Sequence, residues 1–349
     1  MNKNFLKALL TSVSPSGYEG SSSNVFADYM GQFATLVKRD NVGNTVFAIG
    51  NPEAKTKVML SAHIDEIAMQ VQNIDDKGFI HFIADGGIDK KVLPGSQVQI
   101  LTSNGVVNGV IGKAPIHIEH HSDDKNKAIE IKDMKIDIGA ETKEEAKAIV
   151  GIGDLILVKC EPIEMGANRI SGRGLDDKAG IFVIAEAAAM LSKEKLSDLC
   201  VYVVACTQEE TSASGAVISA AGIDPDYSID FDVTFATDDE YVSANEWGDI
   251  KLGGGGAIAH GVDNNIYLTK LIKSICVDNK IPFQEFSVPS GCTDTVYIKQ
   301  SSSDCMTQLL SIPNRNMHTQ AEVCDYRDLE SLITMTVKTI LALNSINSV

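Results

Sequence analysis

Basic charge is scarce in this chain of 349 residues: 30 Lys and Arg face 47 Asp and Glu, a formal charge of −17 at pH 7. Nucleic acid and anionic membrane both need a basic surface, so neither is expected as a partner. Aromatics make up 6% with Trp247 the single tryptophan, which leaves no platform for stacking sugars. The seven cysteines (160, 200, 206, 276, 292, 305 and 324) are odd in number and scattered, and none forms a CxxC pair. That excludes a metal knuckle and reads as buried thiols of a cytoplasmic protein. Apolar runs are short. Phe5 to Val13 contains Lys7 and is followed by polar residues, unlike a signal peptide, and nothing approaches a membrane-spanning length.

What is present is an ordered globular composition, 44% apolar, on a chain long enough for two domains. Helical periodicity at Asn4–Ser12 and Ser21–Phe33 brackets a Pro/Gly turn, Ser14 to Gly20. Two alternating runs follow, and then a buried strand, Lys57 to His63, ending in His63-Ile64-Asp65-Glu66. From about Met69 the texture becomes short alternating runs between Asp-Lys-Gly, Leu-Pro-Gly and Asn-Gly turns, the pattern of a small all-β barrel. After Arg173 helix and strand alternate again: helix 178–193, strand 200–207, helix 214–221, strand 227–235, helix 265–279, strand 283–288 and a closing helix 329–343. The expectation is a three-layer α/β/α domain over residues 1–68 and 164–349, interrupted by a β-barrel over 69–163.

The stretch that organises this pattern is Gly172-Arg173-Gly174-Leu175-Asp176-Asp177-Lys178-Ala179-Gly180. One carboxylate at a helix N-terminus is a cap; a second beside it invites a cation, and both readings stand. His63 and Asp65, two apart at a strand end, point to one face, either as a satisfied histidine or as a metal ligand with its supporting acceptor. Glu209 and Glu210 follow an apolar strand, as a solvated loop or as site residues. Asp230 and Asp232 sit inside an apolar strand, where a carboxylate should be paired, protonated or bound to a cation. Ile312 to His318 reads as a loop that supplies a second histidine. Together these are oxygen and imidazole donors with almost no sulfur, at strand ends where open α/β sheets place their sites. They suit two Zn²⁺, Co²⁺ or Mn²⁺ ions sharing a carboxylate. A rival cluster, His117, His120 and His121 around Glu119, lies among Asp123, Asp124 and lysines and reads as a solvated face.

Ser61 to Ile67, Leu175 to Gly180, Thr207 to Glu210, Asp232 to Thr234 and His318 to Val323 resemble the successive motifs of the tetrahedral aminopeptidases, the glutamyl and deblocking enzymes. The resemblance runs end to end and includes Ser16 to Glu19, Ile136 to Ala140 and Gly291 to Asp294. It implies a phosphorylase/hydrolase-like catalytic domain, a barrel that mediates dimers, and assembly into a tetrahedral dodecamer. It implies His63 and Asp232 on one metal ion, Glu210 and His318 on the other, and Asp176 bridging. Glu209 takes the place of the general base, Asp65 that of the residue orienting the first histidine, and the Asp176–Asp177 peptide is expected to be cis. The chain departs from the family's pattern at Thr211 to Ser214, Gly256 and Asn316, all near the substrate pocket and none a ligand.

The sequence thus reads as a cytoplasmic, dinuclear metallo-aminopeptidase acting on short peptides. Three rivals are weighed against it. A related carboxypeptidase or deacylase would share the ligands but need a cationic clamp, for which Arg315 is the obvious candidate. A glycoside hydrolase would need carboxyls on opposite sides of a sugar, to which the adjacent Glu209 and Glu210 are poorly suited. A non-catalytic scaffold would not need the ligand set and base. The barrel contributes only the flank downstream of His63 to this reading, so catalysis leaves it unexplained.

Overall fold

The computed structural model describes residues 1–115, 117 and 128–346. They form two compact units, Met1–Glu66 with Glu161–Met317 and Ala321–Val349, and Ile67–Cys160 with His318–Gln320. Strands are numbered along the chain. The first unit opens with β1 (Thr35–Arg39), β2 (Thr45–Gly50) and β3 (Thr56–His63). The second holds β4 (Ala68–Ile74), β5 (Ile80–Asp85), β6 (Gln97–Thr102), β7 (Gly105–Ile111), β8 (Ile136–Asp137) and β9 (Leu155–Val158). The first resumes with β10 (Ile163–Met165), β11 (Arg169–Gly172), β12 (Leu199–Cys206) and β13 (Tyr227–Phe235). It ends with β14 (Gly256–His260), β15 (Phe283–Ser287), β16 (Met306–Asn314) and β17 (Glu322–Asp325).

An eight-stranded sheet of order β1-β2-β12-β3-β13-β16-β14-β15 forms the middle layer of the first unit. Its centre, β12, β3, β13 and β16, is parallel, so four strand C-termini open on one edge. The two faces separate by side-chain alternation. Val58, Leu60 and Ala62 of β3 and Val201, Val203 and Ala205 of β12 join the core beneath helices Lys3–Thr11, Leu175–Leu191 and Tyr326–Ile346. Met59, Val204 and Cys206 turn the other way, toward Ala216, Ala220 and Ile298 of helices Ser214–Ile223 and Asp294–Ser301. Leu175–Leu191 is covered nearly all round, which its run Ile181 to Ala188 permits.

The closing helix, Tyr326–Ile346, is the one described helix long and apolar enough to span a membrane, against the expectation from sequence. Its Leu329, Leu332, Met335, Ile340 and Leu343 are instead buried in the core, each contributing about 1.5–3 kcal/mol if fully withdrawn from water. Central β16 is a second departure, since Ile312 to Asn314 end a strand and the loop begins only at Arg315.

The second unit is a closed barrel of order β4-β5-β8-β7-β6-β9, filled by apolar side chains such as Met69, Val71, Phe82, Ile100 and Ile156.

Candidate metal centre

The parallel edge gathers the polar residues that follow each apolar strand. His63 ends β3, and its Nε2 lies 3.0 Å from Asp176 Oδ1 and 3.9 Å from Asp232 Oδ1. His63, Asp176 and Glu210 each offer a donor atom within 4.8 Å of the others. The Asp176–Asp177 peptide is cis, as the motif leads one to expect. The two adjacent aspartates divide their work. Asp177 caps, its Oδ1 accepting the Gly180 N–H at 3.0 Å, while Asp176 faces the imidazole. Gly180 is obligatory for this cap, because a Cβ there would stand 2.2 Å from Asp177 Oδ2.

Asp65 does more than its position suggests. Its backbone carbonyl, 3.1 Å from His63 Nδ1, is the nearer acceptor for the imidazole; its carboxylate Oδ1 stands at 3.5 Å. The carboxylate accepts the N–H groups of Glu209 at 3.0 Å and Glu210 at 3.2 Å, and the Ser16 hydroxyl at 2.6 Å. One buried side chain therefore ties the turn bearing both glutamates to the end of β3.

The electrostatics are those of several acids crowded around one imidazole. Burial alone would push the His63 imidazole down, but Asp176 and Asp65 outweigh it and hold it well above its usual value. Burial, then repulsion from Asp176 and Glu209, drives Asp232 well up. Glu209 is pushed to about 7, burial again leading. Asp230 accepts the Ser61 and Thr295 hydroxyls at 2.6 and 2.8 Å, yet burial raises it to about 6. Asp177 Oδ2 and both carboxylate oxygens of buried Asp294 have no hydrogen-bond partner. Orphaned buried acid oxygens around one imidazole and several carboxylates fit divalent cations of the zinc, cobalt or manganese type, which would neutralise this charge.

Several supporting residues escape a reading of the sequence. Asn44 is fully buried and spans both ends of the glutamate turn: its Oδ1 accepts the Thr207 N–H at 3.0 Å and its Nδ2 donates to the Gly215 carbonyl at 3.0 Å. Glu322 Oε2 accepts the Asp176 N–H at 3.0 Å. Behind the Gly172–Lys178 turn, Glu66 binds Arg173, takes Lys178 Nζ at 2.9 Å and accepts the Ser14 N–H at 2.9 Å. All three charged groups are buried. The available signal is charge inside apolar surroundings, at Glu66, Lys178 and Glu322; Asn44 gives none, because it reads as the first residue of the alternating run Asn44 to Ile49, after the Asn41-Val42-Gly43 turn.

His318 belongs to the second unit, where its Nδ1 lies 2.8 Å from the Gly87 carbonyl oxygen. Arg315 is engaged by two acids, Asp238 at 2.7 Å and Asp239 at 3.7 Å. Of the rival histidine cluster, Glu119, His120, His121, Asp123 and Asp124 lie outside the described residues.

With this geometry in hand, known proteins give a consistent comparison. The lysyl aminopeptidase of Pyrococcus furiosus is 29% identical over 335 residues, covering 95% of this chain and 94% of its own. An aminopeptidase from the archaeon Desulfurococcus kamchatkensis superposes with a TM-score of 0.88 at 32% identity, over 97% of this chain and 93% of that one. The TET1 peptidase of Pyrococcus horikoshii, which can assemble into a tetrahedron or a large octahedral shell, gives a TM-score of 0.86 at 30% identity, over 96% and 98%. Residues 43–335 match the M42 glutamyl aminopeptidase family, and the chain belongs to that family of metal-dependent peptidases.

Proposed function

We propose that this chain removes N-terminal residues from short peptides at a dinuclear centre. His63 and Asp232 would hold one divalent ion, Glu210 and His318 the other, with Asp176 shared and Glu209 as general base. The observation that carries this reading is the convergence of His63, Asp176 and Glu210, from three separate segments, to within 4.8 Å, with Asp232 3.9 Å from His63. When bound, such ions supply Lewis acidity, polarising a carbonyl and making water a nucleophile near neutral pH. Glu209 takes the proton of the attacking water and returns it to the leaving amine. Asp65 touches no substrate; it holds the Glu209–Glu210 turn and backs the imidazole of His63.

Two rivals lose support. Arg315, the candidate clamp for a substrate carboxylate, already pairs with Asp238 and Asp239. Glu209 and Glu210 are adjacent in one turn, their backbone N–H groups sharing the Asp65 carboxylate, and neighbours in a turn are poorly suited to flank a sugar.

The test is a panel of aminoacyl-nitroanilides and short peptides, free and N-acetylated, with and without chelator, then reloaded with zinc, cobalt or manganese. Free peptides should be cleaved, chelator should abolish cleavage, and one of the metals should restore it. Equal cleavage of acetylated and free peptides would overturn the aminopeptidase reading; indifference to chelator would overturn the metal.

Cytoplasmic placement and a tetrahedral dodecamer built from barrel-mediated dimers are part of the same proposal. Buried thiols at Cys200, Cys206, Cys276 and Cys324 support a reducing compartment, and the shells formed by the Pyrococcus horikoshii relative support the assembly. Light scattering should give the mass of a dodecamer, and an active monomer at micromolar concentration would refute the shell.

A further inference from the structure

The turn that carries His318 is built into the barrel unit. Residues His318–Gln320 group with Ile67–Cys160, although they follow β16 of the α/β sheet in sequence. Contacts among the described residues hold the turn there. His318 Nδ1 lies 2.8 Å from the Gly87 carbonyl oxygen, and Cys160 Sγ lies 3.1 Å from the Gln320 carbonyl oxygen. His318 itself has φ of +63°, a left-handed conformation that a bulky side chain keeps when its surroundings fix it.

The partner of Nδ1 determines the tautomer. A carbonyl oxygen only accepts, so Nδ1 carries a proton and donates, and in the neutral ring Nε2 is then the lone-pair nitrogen. This is the state in which an imidazole binds a metal ion while its other nitrogen is anchored.

Gly87 is a glycine for the same reason. Its backbone is outside the left-handed region, so no turn geometry demands it. A Cβ there would stand 2.8 Å from His318 Nδ1 and 3.1 Å from Cε1, and would meet nothing else within 4 Å. The side chain is missing at position 87 to admit one imidazole.

We propose that Gly87 is a positioning residue for the metal centre. Its carbonyl sets the tautomer and ring plane of His318, and its bare Cα leaves the ring its place. Gly87 thereby acts on metal affinity through His318 alone. The inference rests on the reading in which His318 is a metal ligand.

The experiment uses the full-length chain and zinc alone, titrated against a chromophoric chelator. Gly87→Ala should weaken one of the two sites by roughly 10–100-fold, the usual effect of disturbing a ligand's outer hydrogen-bond partner, and leave the other at parent affinity. Gly112→Ala is the barrel control, since its Cβ would meet only the Lys135 carbonyl oxygen at 3.7 Å, and it should bind like the parent. In a His318→Ala background Gly87→Ala should add no further loss, because both act through one ring. If His318→Ala keeps both ions at parent affinity, the ligand assignment is wrong. If His318→Ala loses an ion but Gly87→Ala binds both normally, or if the two losses add, the positioning role is wrong. A measurement on the unmodified chain covers the case in which Gly87→Ala does not fold. Nitrogen-15 spectra of the histidine rings in the zinc-loaded protein should place the His318 proton on Nδ1 and zinc on Nε2, and the reverse would overturn the proposal.

Discussion

In the barrel, the residues withdrawn from water are Met69, Val71, Ile74, Ile80, Phe82, Val98, Ile100 and their like. Among the described residues no polar or charged side chain between Ile67 and Cys160 is buried. The α/β unit buries His63, Asp65, Glu66, Asp176, Asp177, Lys178, Asp230, Asp232, Asp294 and Glu322. In the barrel, partly exposed Asp75 is a carboxylate that Lys135 holds down at about 2, an ordinary surface pairing. In the α/β unit burial drives Glu209, Asp230 and Asp232 up. A fold that only had to be stable would be built like the barrel throughout, because buried charge costs energy wherever it is not matched. The unmatched acids of the α/β unit are therefore where the sequence serves chemistry at the expense of stability.

That contrast is tested most severely at Glu209. Glu209→Gln removes a proton carrier and no ligand, so kcat should fall by at least ~10² while both metals stay bound. Near-normal turnover in a metal-replete variant would mean that the raised carboxylate is only structural, and the distinction between the two units would lose its clearest case.

The Glu66–Arg173–Lys178 group comes next, because here buried charge is matched and should stabilise. Burial would raise the Glu66 carboxyl, but Arg173 and Lys178 pull it down from 4.5 to about 2. A depressed acid contributes fully above its unfolded value and loses that contribution as pH falls through the folded one. Glu66→Gln strands two buried cations and should destabilise by about 3–5 kcal/mol at neutral pH. The deficit against the parent should shrink between about pH 4.5 and 2, as the parent's own carboxyl protonates. Urea midpoints of the metal-free chain across that range measure both effects, and a deficit that stayed constant would place the stabilisation elsewhere.

Asp65 tests positioning. Asp65→Asn keeps the shape but weakens the hold on two backbone N–H groups and the Ser16 hydroxyl. Metal affinity or activity should drop roughly 10–100-fold, less than for Glu209, as expected when a supporting group is altered. An effect as large as that of Glu209→Gln would make Asp65 a participant in proton transfer.

How much of this was legible follows from the same contrast. His63, Asp176, Glu209, Glu210 and Asp232 stood out because each borders or interrupts an apolar strand or helix, and the barrel because short alternating runs recur between turn signals. β16 was not legible. Thr307, Gln308, Ser311 and Pro313 break its apolar pattern, although it lies in the middle of the sheet. Gln308 is tolerated there because its amide donates to Ala259 and Leu309 carbonyls at 2.9 and 2.8 Å, while the Thr269 hydroxyl donates to its oxygen at 2.5 Å. Ala259 and Thr269 are distant in sequence, so no local pattern announces this compensation. Asn44 and Gly87 are hidden in the same way: one reads as the start of an alternating run and the other carries no local pattern, until their partners are in place.

The smallest effect sharpens the comparison from the barrel side. Ile156 is fully buried in β9, facing Met69 of β4 and Ile100 of β6 across the ladders. Ile156→Val removes one methylene from an apolar interior that holds no buried polar group among the described residues. It should cost about 0.5–1.5 kcal/mol. At about 1 kcal/mol the population of locally opened barrel rises roughly five-fold, so amide exchange in β6 and β9 should speed up by that factor while β3 and β12 keep parent protection. Turnover should not change, because the ladder partners of Ile156 are Met69 and Ile100, in neither the Gly87 loop nor the His318 turn. If kcat nevertheless fell along with barrel protection, the barrel's interior would be coupled to the chemistry as a whole, and the influence assigned to the single Gly87–His318 contact would have to be spread over the entire unit.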